Sequence, residues 1–249
     1  MGTINTPGGA WALDAWTPSG PDVEPSVLDD LCLDHFPGDP VVPGAHLIGL
    51  ALRVCELDAA DVTFAGFRAP VRPAGGCRFA RTSRRAGLRV EFSSADGSPA
   101  ARIDVRPTSF ESATLTIPEP TTPDPAWPDP SASLLHGPHA RFVDRVVDWQ
   151  EDALWAALDG RERWHWAQLL DGAAQAAGLL FRGSARAGEP VFVASFEKTR
   201  WAHPLPPAVA PRVHARRRRR VMGIEQFDCS VTTQDGASIM TTRVALGSA

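Results

Sequence analysis

Three prolines fall within the ten residues His35-Phe36-Pro37-Gly38-Asp39-Pro40-Val41-Val42-Pro43-Gly44, and an apolar run over residues 45–57 follows at once. Proline fixes φ and lacks an N–H, so this stretch makes neither a sheet ladder nor a helix interior and reads as a rigid, shaped loop. Pro43 suits the first turn of a helix, and the N–H groups from Gly44 onward lie at its positive end. A histidine on such a loop, next to a helix N-terminus, is suited to taking a proton beside a carbonyl whose oxygen the N–H groups hold. The run over 44–57 is apolar nearly all round, interrupted mainly by Arg53. A helix of that kind has to be enclosed by protein, and a sheet wrapped around it fits.

The ten-residue stretch resembles the active-site signature of the bacterial β-hydroxyacyl-acyl-carrier-protein dehydratases, which are hot-dog folds. In that family the histidine is a catalytic acid/base, and a Glu or Asp fourteen residues later is its partner. That place is Gly49 here. The carboxylate instead stands in the second half, where Leu169-Leu170-Asp171-Gly172-Ala173-Ala174-Gln175-Ala176-Ala177-Gly178 is similar to the family's helix, with Asp171 at the acidic position and Gln175 one turn on. Fourteen residues before Asp171 lies Ala157, so the second half lacks the histidine. The losses are complementary, because each site of the family's homodimers takes its histidine from one subunit and its carboxylate from the other. A fused chain needs one of each, as in the double-hot-dog dehydratase domains of polyketide synthases, which this arrangement also resembles.

The element order repeats. After the first helix come residues 62–67, then alternating β-rich runs at 77–83, 88–93 and 101–106, with turn signals at Arg85-Ala86-Gly87 and Asp96-Gly97. The second half opens with Leu134-Leu135-His136-Gly137-Pro138-His139-Ala140-Arg141-Phe142-Val143-Asp144-Arg145-Val146-Val147, which resembles the opening of the single-hot-dog dehydratases. A helix over about 166–181 follows, and then Phe196-Glu197-Lys198-Thr199-Arg200-Trp201, parallel to Phe67-Arg68-Ala69-Pro70 in the first half. Between the halves, residues 117–133 hold six prolines and read as an extended linker. The expected organisation is an α+β double hot dog forming a pseudo-dimer: an N-terminal hot dog over 1–116 with the histidine, the linker over 117–133, and a C-terminal hot dog over 134–249 with the aspartate. Residues 10–15 are expected to provide a first strand and 27–32 the approach to the loop.

At 249 residues and net charge −4 there is room for a real core and no global attraction to nucleic acid or membrane. No stretch of 18 apolar residues occurs and the first residues lack a signal-peptide pattern, so a soluble, cytoplasmic protein is expected. Cys32, Cys55, Cys77 and Cys229 are scattered without metal spacing, so neither a disulfide nor zinc is expected.

The expected reaction is loss of water from a 3-hydroxyacyl thioester to give the trans-2-enoyl thioester. His35 is the base, the Gly44 N–H holds the carbonyl oxygen, Asp171 protonates or orients the departing hydroxyl, and Gln175 anchors Asp171 or a water. Burial raises the Asp171 pKa in that scheme. His46, His136, His139 and His165 are read as structural. No metal or cofactor is implied; the phosphopantetheine arm arrives with an acyl carrier protein, and Arg72, Arg212, Arg216 and Arg218 are candidates for docking that acidic partner. A homodimer of such fused chains is conceivable on the same scheme. The bland account of the run from Arg216 to Arg220 is an edge strand guarded by charge. Two other functions compete: isomerisation or cyclisation of an acyl chain by the same His/Asp pair, and a non-catalytic hot dog that binds a carrier protein or supports a partner.

Overall fold

The two apolar stretches become helices that end up inside the protein. A computed structural model of the chain describes residues 13, 16–32, 35–36, 38–57, 60–107, 110–119, 124–134, 136–137, 139–161, 163–182, 191–206 and 210–248. Helix α1 (Pro25–Leu31) starts on a proline at its first turn, where the missing N–H is not needed, and precedes the loop that carries His35. Residues 27–32 therefore approach the loop as a helix. The strand expected over 10–15 lies outside the described residues apart from Leu13. Helix α2 (Gly44–Val54) is buried at every position except Gly44 and Arg53.

Strands β1 (Asp22–Val23), β2 (Asp61–Phe67), β3 (Cys77–Arg84), β4 (Gly87–Ser94) and β5 (Pro99–Arg106) belong to the first half. The second contains β6 (Val143–Trp149), β7 (Ala153–Leu158), β8 (Val191–Trp201), β9 (Arg212–Val221), β10 (Ile224–Thr232) and β11 (Ser238–Ser248). A short helix α3 (Pro130–Ser133) precedes β6, and α4 (Trp166–Arg182) lies between β7 and β8. All described pairings are antiparallel, in the order β1-β3-β4-β5-β2-β8-β11-β10-β9-β7-β6. The strands of both halves thus form one continuous eleven-stranded sheet.

The join is β2 against β8, with Val62 opposite Thr199, Phe64 opposite Glu197 and Ala65 opposite Phe196. Val62, Ala65 and Phe196 are fully buried there. At the end of the join, the Asp61 carboxylate, 1% exposed, accepts hydrogen bonds from Arg106 of the same half and from Arg200 of the other, the latter at 2.8 Å. The buried faces of both halves and both long helices belong to one hydrophobic cluster, within which α2 packs against α4.

The connection expected to be extended over 117–133 is not so throughout: Trp127 N–H donates to Asp124 O, closing a turn, and α3 starts on Pro130, where the missing N–H is not needed. Residues 111–119 run along the second half: Leu115 N–H donates to Gly236 O at 2.9 Å, Thr114 forms a single bridge with Ala237, and Leu115 and Ile117 pack on Val147, Trp155 and Ala157.

The arginine run shows where periodicity misleads. Strand β9 is not an edge strand along its whole length, since β7 covers it from Arg212 to Arg216 and β10 lies on its other side. Beyond that β9 pairs with β10 alone. A register shift between Gln226 and Phe227 re-aims the run. Arg217 turns inward to Glu225 (3.0 Å) and to Leu180 O at the C-terminal end of α4 (3.2 Å), while Arg218 pairs with Asp228.

Replacing Asp61 by Ala removes the buried carboxylate that two arginines from different halves share. Both guanidinium groups are about half exposed, so water re-solvates them and the loss is held to roughly 1–3 kcal/mol. Urea denaturation of Asp61→Ala is expected to show a loss of that size, and Arg106→Ala a smaller one.

Candidate active site

The loop that carries His35 is held at several points. His35 N–H donates to Cys32 O (2.9 Å), Asp39 N–H to Phe36 O (3.1 Å), and Val42 N–H to Val71 O (2.9 Å). Phe36 and Gly38 take positive φ, +57° and +92°, which lets the chain reverse tightly; for Phe36 that conformation is uncommon. Arg72 forks onto both oxygens of Asp39 at 3.0 Å, so this docking candidate also braces the loop.

His35 is 8% exposed. Its Nδ1 lies 3.2 Å from Val41 O, and a carbonyl only accepts, so Nδ1 carries the hydrogen and Nε2 is the bare nitrogen in the neutral ring. Burial holds its pKa well below the usual 6.5, reinforced by the charges of His136 and His46 and opposed by the bond to Val41. The His136 ring, which comes from the second half, stands edge-on to His35 with centroids 4.9 Å apart, and Phe36 packs against both. Sequence reasoning placed His136 in an opening turn and missed this contact. A histidine at the start of the second repeat was the available signal, but nothing local reveals which ring it meets.

Gly44 is the first residue of α2, whose own bonding begins with His46 and Leu47 donating to Pro43 O. A methyl group at Gly44 would sit 2.7 Å from Phe67 Cζ, so glycine permits the close approach of that ring. Two residues on, His46 is buried, with Nδ1 donating to Leu31 O at 2.8 Å, and burial lowers its pKa to about 4.

Asp171 lies in α4, whose residues 167–181 are buried on every side, including Gln168 and Gln175. Burial alone raises its pKa from 3.8 to about 7. Gln175, one turn later, is bound to main chain: its Oε1 accepts from Phe142 N–H (2.8 Å) and Val143 N–H (3.3 Å), and its Nε2 donates to Ala140 O (2.7 Å). Its bonds thus hold the chain entering β6, where anchoring of Asp171 was expected. His165 uses Nδ1 to accept from Ala167 N–H at the start of α4.

His35 and Gln175 therefore abut the same short stretch of the second half, residues 136–143. Ala140 N–H donates to Gly137 O at 3.1 Å, closing a turn. A turn of that kind keeps the Cα atoms of His136 and Ala140 within about 11 Å of each other. The His35 loop of one half and the helix of the other that carries Asp171 thus both touch one stretch of chain.

The duplicate position is closed off. At Gly49, where the resemblance leaves the first half without a carboxylate, an added Cβ would lie 2.5 Å from Leu13 Cδ1. Gly49, His165, Trp166 and Trp201 line a cavity of about 220 Å³ that does not include His35 or Asp171. The docking candidates are dispersed: Arg72 on the loop side, Arg212 donating to Pro118 O at 3.3 Å, Arg218 paired with Asp228, and Arg216 exposed on β9. All four cysteines are buried as free thiols, and no group able to hold a metal occurs among the described residues. No described helix is long and apolar enough to cross a membrane.

No family model matches the chain, and no curated protein matches it significantly. Solved structures do. The chain is similar to the dehydratase domain from the CurJ module of curacin polyketide synthase, with TM-score 0.70, 12% identity, and 94% of this chain and 95% of that one covered. It is similar to the dehydratase domain of PpsC from Mycobacterium tuberculosis in complex with C12:1-CoA (TM-score 0.67, 14% identity, 92% of each chain). It is also similar to a bifunctional dehydratase-cyclase domain of ambruticin biosynthesis (0.64, 18% identity, 90% and 89%). The chain has the fold of polyketide synthase dehydratase domains over some nine-tenths of its length.

Two outcomes follow from the burial of these side chains. Gln175→Leu leaves the Phe142 N–H and Ala140 O without their partner inside the protein and is expected to cost roughly 2–4 kcal/mol in denaturant titration. For Asp171 the folded pKa lies above the unfolded one, so its stabilising contribution is complete below about 3.8 and disappears as pH rises to about 7. Asp171→Asn should accordingly gain stability over wild type with increasing pH, by up to about 4 kcal/mol, with a larger advantage in thermal melts at pH 8 than at pH 5.

Proposed function

We propose that the protein is a dehydratase folded as a double hot dog, converting a 3-hydroxyacyl thioester on an acyl carrier protein into the trans-2-enoyl thioester, in polyketide or specialised fatty-acid biosynthesis. The observation that carries this reading is the convergence of the His35 loop and the Asp171 helix, from different halves, on residues 136–143, with both groups buried and shifted toward their neutral forms.

In this mechanism neutral His35 takes the α-proton on Nε2, and the electrons move toward the thioester oxygen, which the Gly44 N–H at the head of α2 holds. The C–O bond at the β-carbon then breaks as Asp171, kept protonated by burial, gives its proton to the departing hydroxyl, releasing water. His35 is left protonated and Asp171 ionised, and return of the proton from the imidazole to the carboxylate restores the starting state. The phosphopantetheine arm comes with the carrier protein, and among the docking candidates Arg216 stands exposed on β9.

Two other readings each rest on an observation. The likeness to a dehydratase-cyclase domain favours ring closure by the same pair, and a likeness to a polyketide synthase enoyl-isomerase favours isomerisation. The close packing of His35 against Phe36 and His136 favours a non-catalytic carrier-binding hot dog.

Incubation with a series of 3-hydroxyacyl carrier-protein thioesters separates them. Loss of one water, −18 in mass, is expected on the loaded arm, and His35→Ala or Asp171→Asn should each slow it by roughly 10²–10⁴-fold. Turnover that survives both substitutions overturns the assignment, and an unchanged mass across the series favours the binding module.

A further inference from the structure

His35 reaches its place through contacts on three sides. Its Nδ1 donates to Val41 O, Phe36 lies against one side of the ring, and the third contact, His136, comes from the other half of the chain. The titratable groups acting on His35 from the packed elements are His136, at the turn before β6, and His46 on α2. Two imidazoles with centroids 4.9 Å apart in a water-poor site repel strongly when both are protonated, so the pair holds one proton at most over the working range.

We propose that His136 is a positioning residue for His35: its ring fixes the plane of the base, and its ability to take a charge keeps His35 unprotonated and ready to accept a proton. The inference deepens the dehydratase reading and rests on it for its kinetic consequence, though not for the coupling itself. No net reaction is added. His136 makes the imidazolium formed on His35 short-lived, so the proton it has taken is given up readily to the ionised carboxylate.

The test compares wild type with His136→Gln, which removes the charge, and His136→Phe, which keeps a flat ring against His35. The kinetic readout is the pH profile of kcat/KM on a 3-hydroxyacyl carrier-protein thioester. Removal of a like charge at this distance is expected to move the acid limb upward by roughly 0.6–2 pH units in both variants. Activity would then fall on the acid limb of the profile far more than on its plateau. A residue that merely packs would lower activity by the same factor at every pH and leave the limb in place, which overturns the proposal. The second readout needs no turnover: NMR titration of the His35 ring, assigned by its absence in His35→Gln, in wild type and both variants. A His35 midpoint that rises in the variants supports the coupling even if no thioester is dehydrated, in which case the functional reading alone fails. A midpoint that stays put in two folded variants removes His136 from any role in setting the base.

Discussion

Pairing of β2 with β8 is the constraint from which the rest of the molecule follows. A half-sheet wrapped around one helix leaves an open edge with unpaired N–H and C=O groups. Joining the two edges satisfies both ladders and brings the two buried helices into contact in one apolar cluster. Asp61 adds a polar requirement to that join, because its buried carboxylate is neutralised by one arginine from each half. The halves are thereby held in one relative position, and only in that position does a loop of the first reach the opening turn of the second.

Burial then sets the chemistry. Asp171 has no charged partner moving its pKa; the apolar walls of α4 alone keep its proton on near neutrality. The same desolvation, assisted by neighbouring imidazoles, keeps His35 and His46 neutral. A carboxyl that retains its proton and an imidazole that lacks one are the pair required for simultaneous acid and base work at one pH. Enclosure of α4 on every side is what keeps Asp171 out of water, whereas His35 is shielded on its loop by Phe36 and His136.

The two halves differ in how they fill the counterpart of the Asp171 position. Where the first half would need its own carboxylate there is glycine, and Leu13 occupies the space a side chain would take. That position has become packing, with a small cavity bordered by tryptophans beside it.

Much of this was legible in the residues. Proline spacing around Pro37, Pro40 and Pro43 dictated the rigid loop, the all-round apolar stretches dictated enclosed helices, and alternation with Asp-Gly and Arg-Ala-Gly turns dictated the antiparallel meander, all being local consequences of backbone geometry and side-chain period. What only the tertiary structure decided involves groups far apart in the chain: Gln175 bonded to the strand start near Ala140, Arg217 turned inward by a register shift, the joint neutralisation of Asp61, and His136 set against His35. Such contacts depend on distances between segments 35 to 139 residues apart, and a sequence specifies those distances only through the packing of the whole chain.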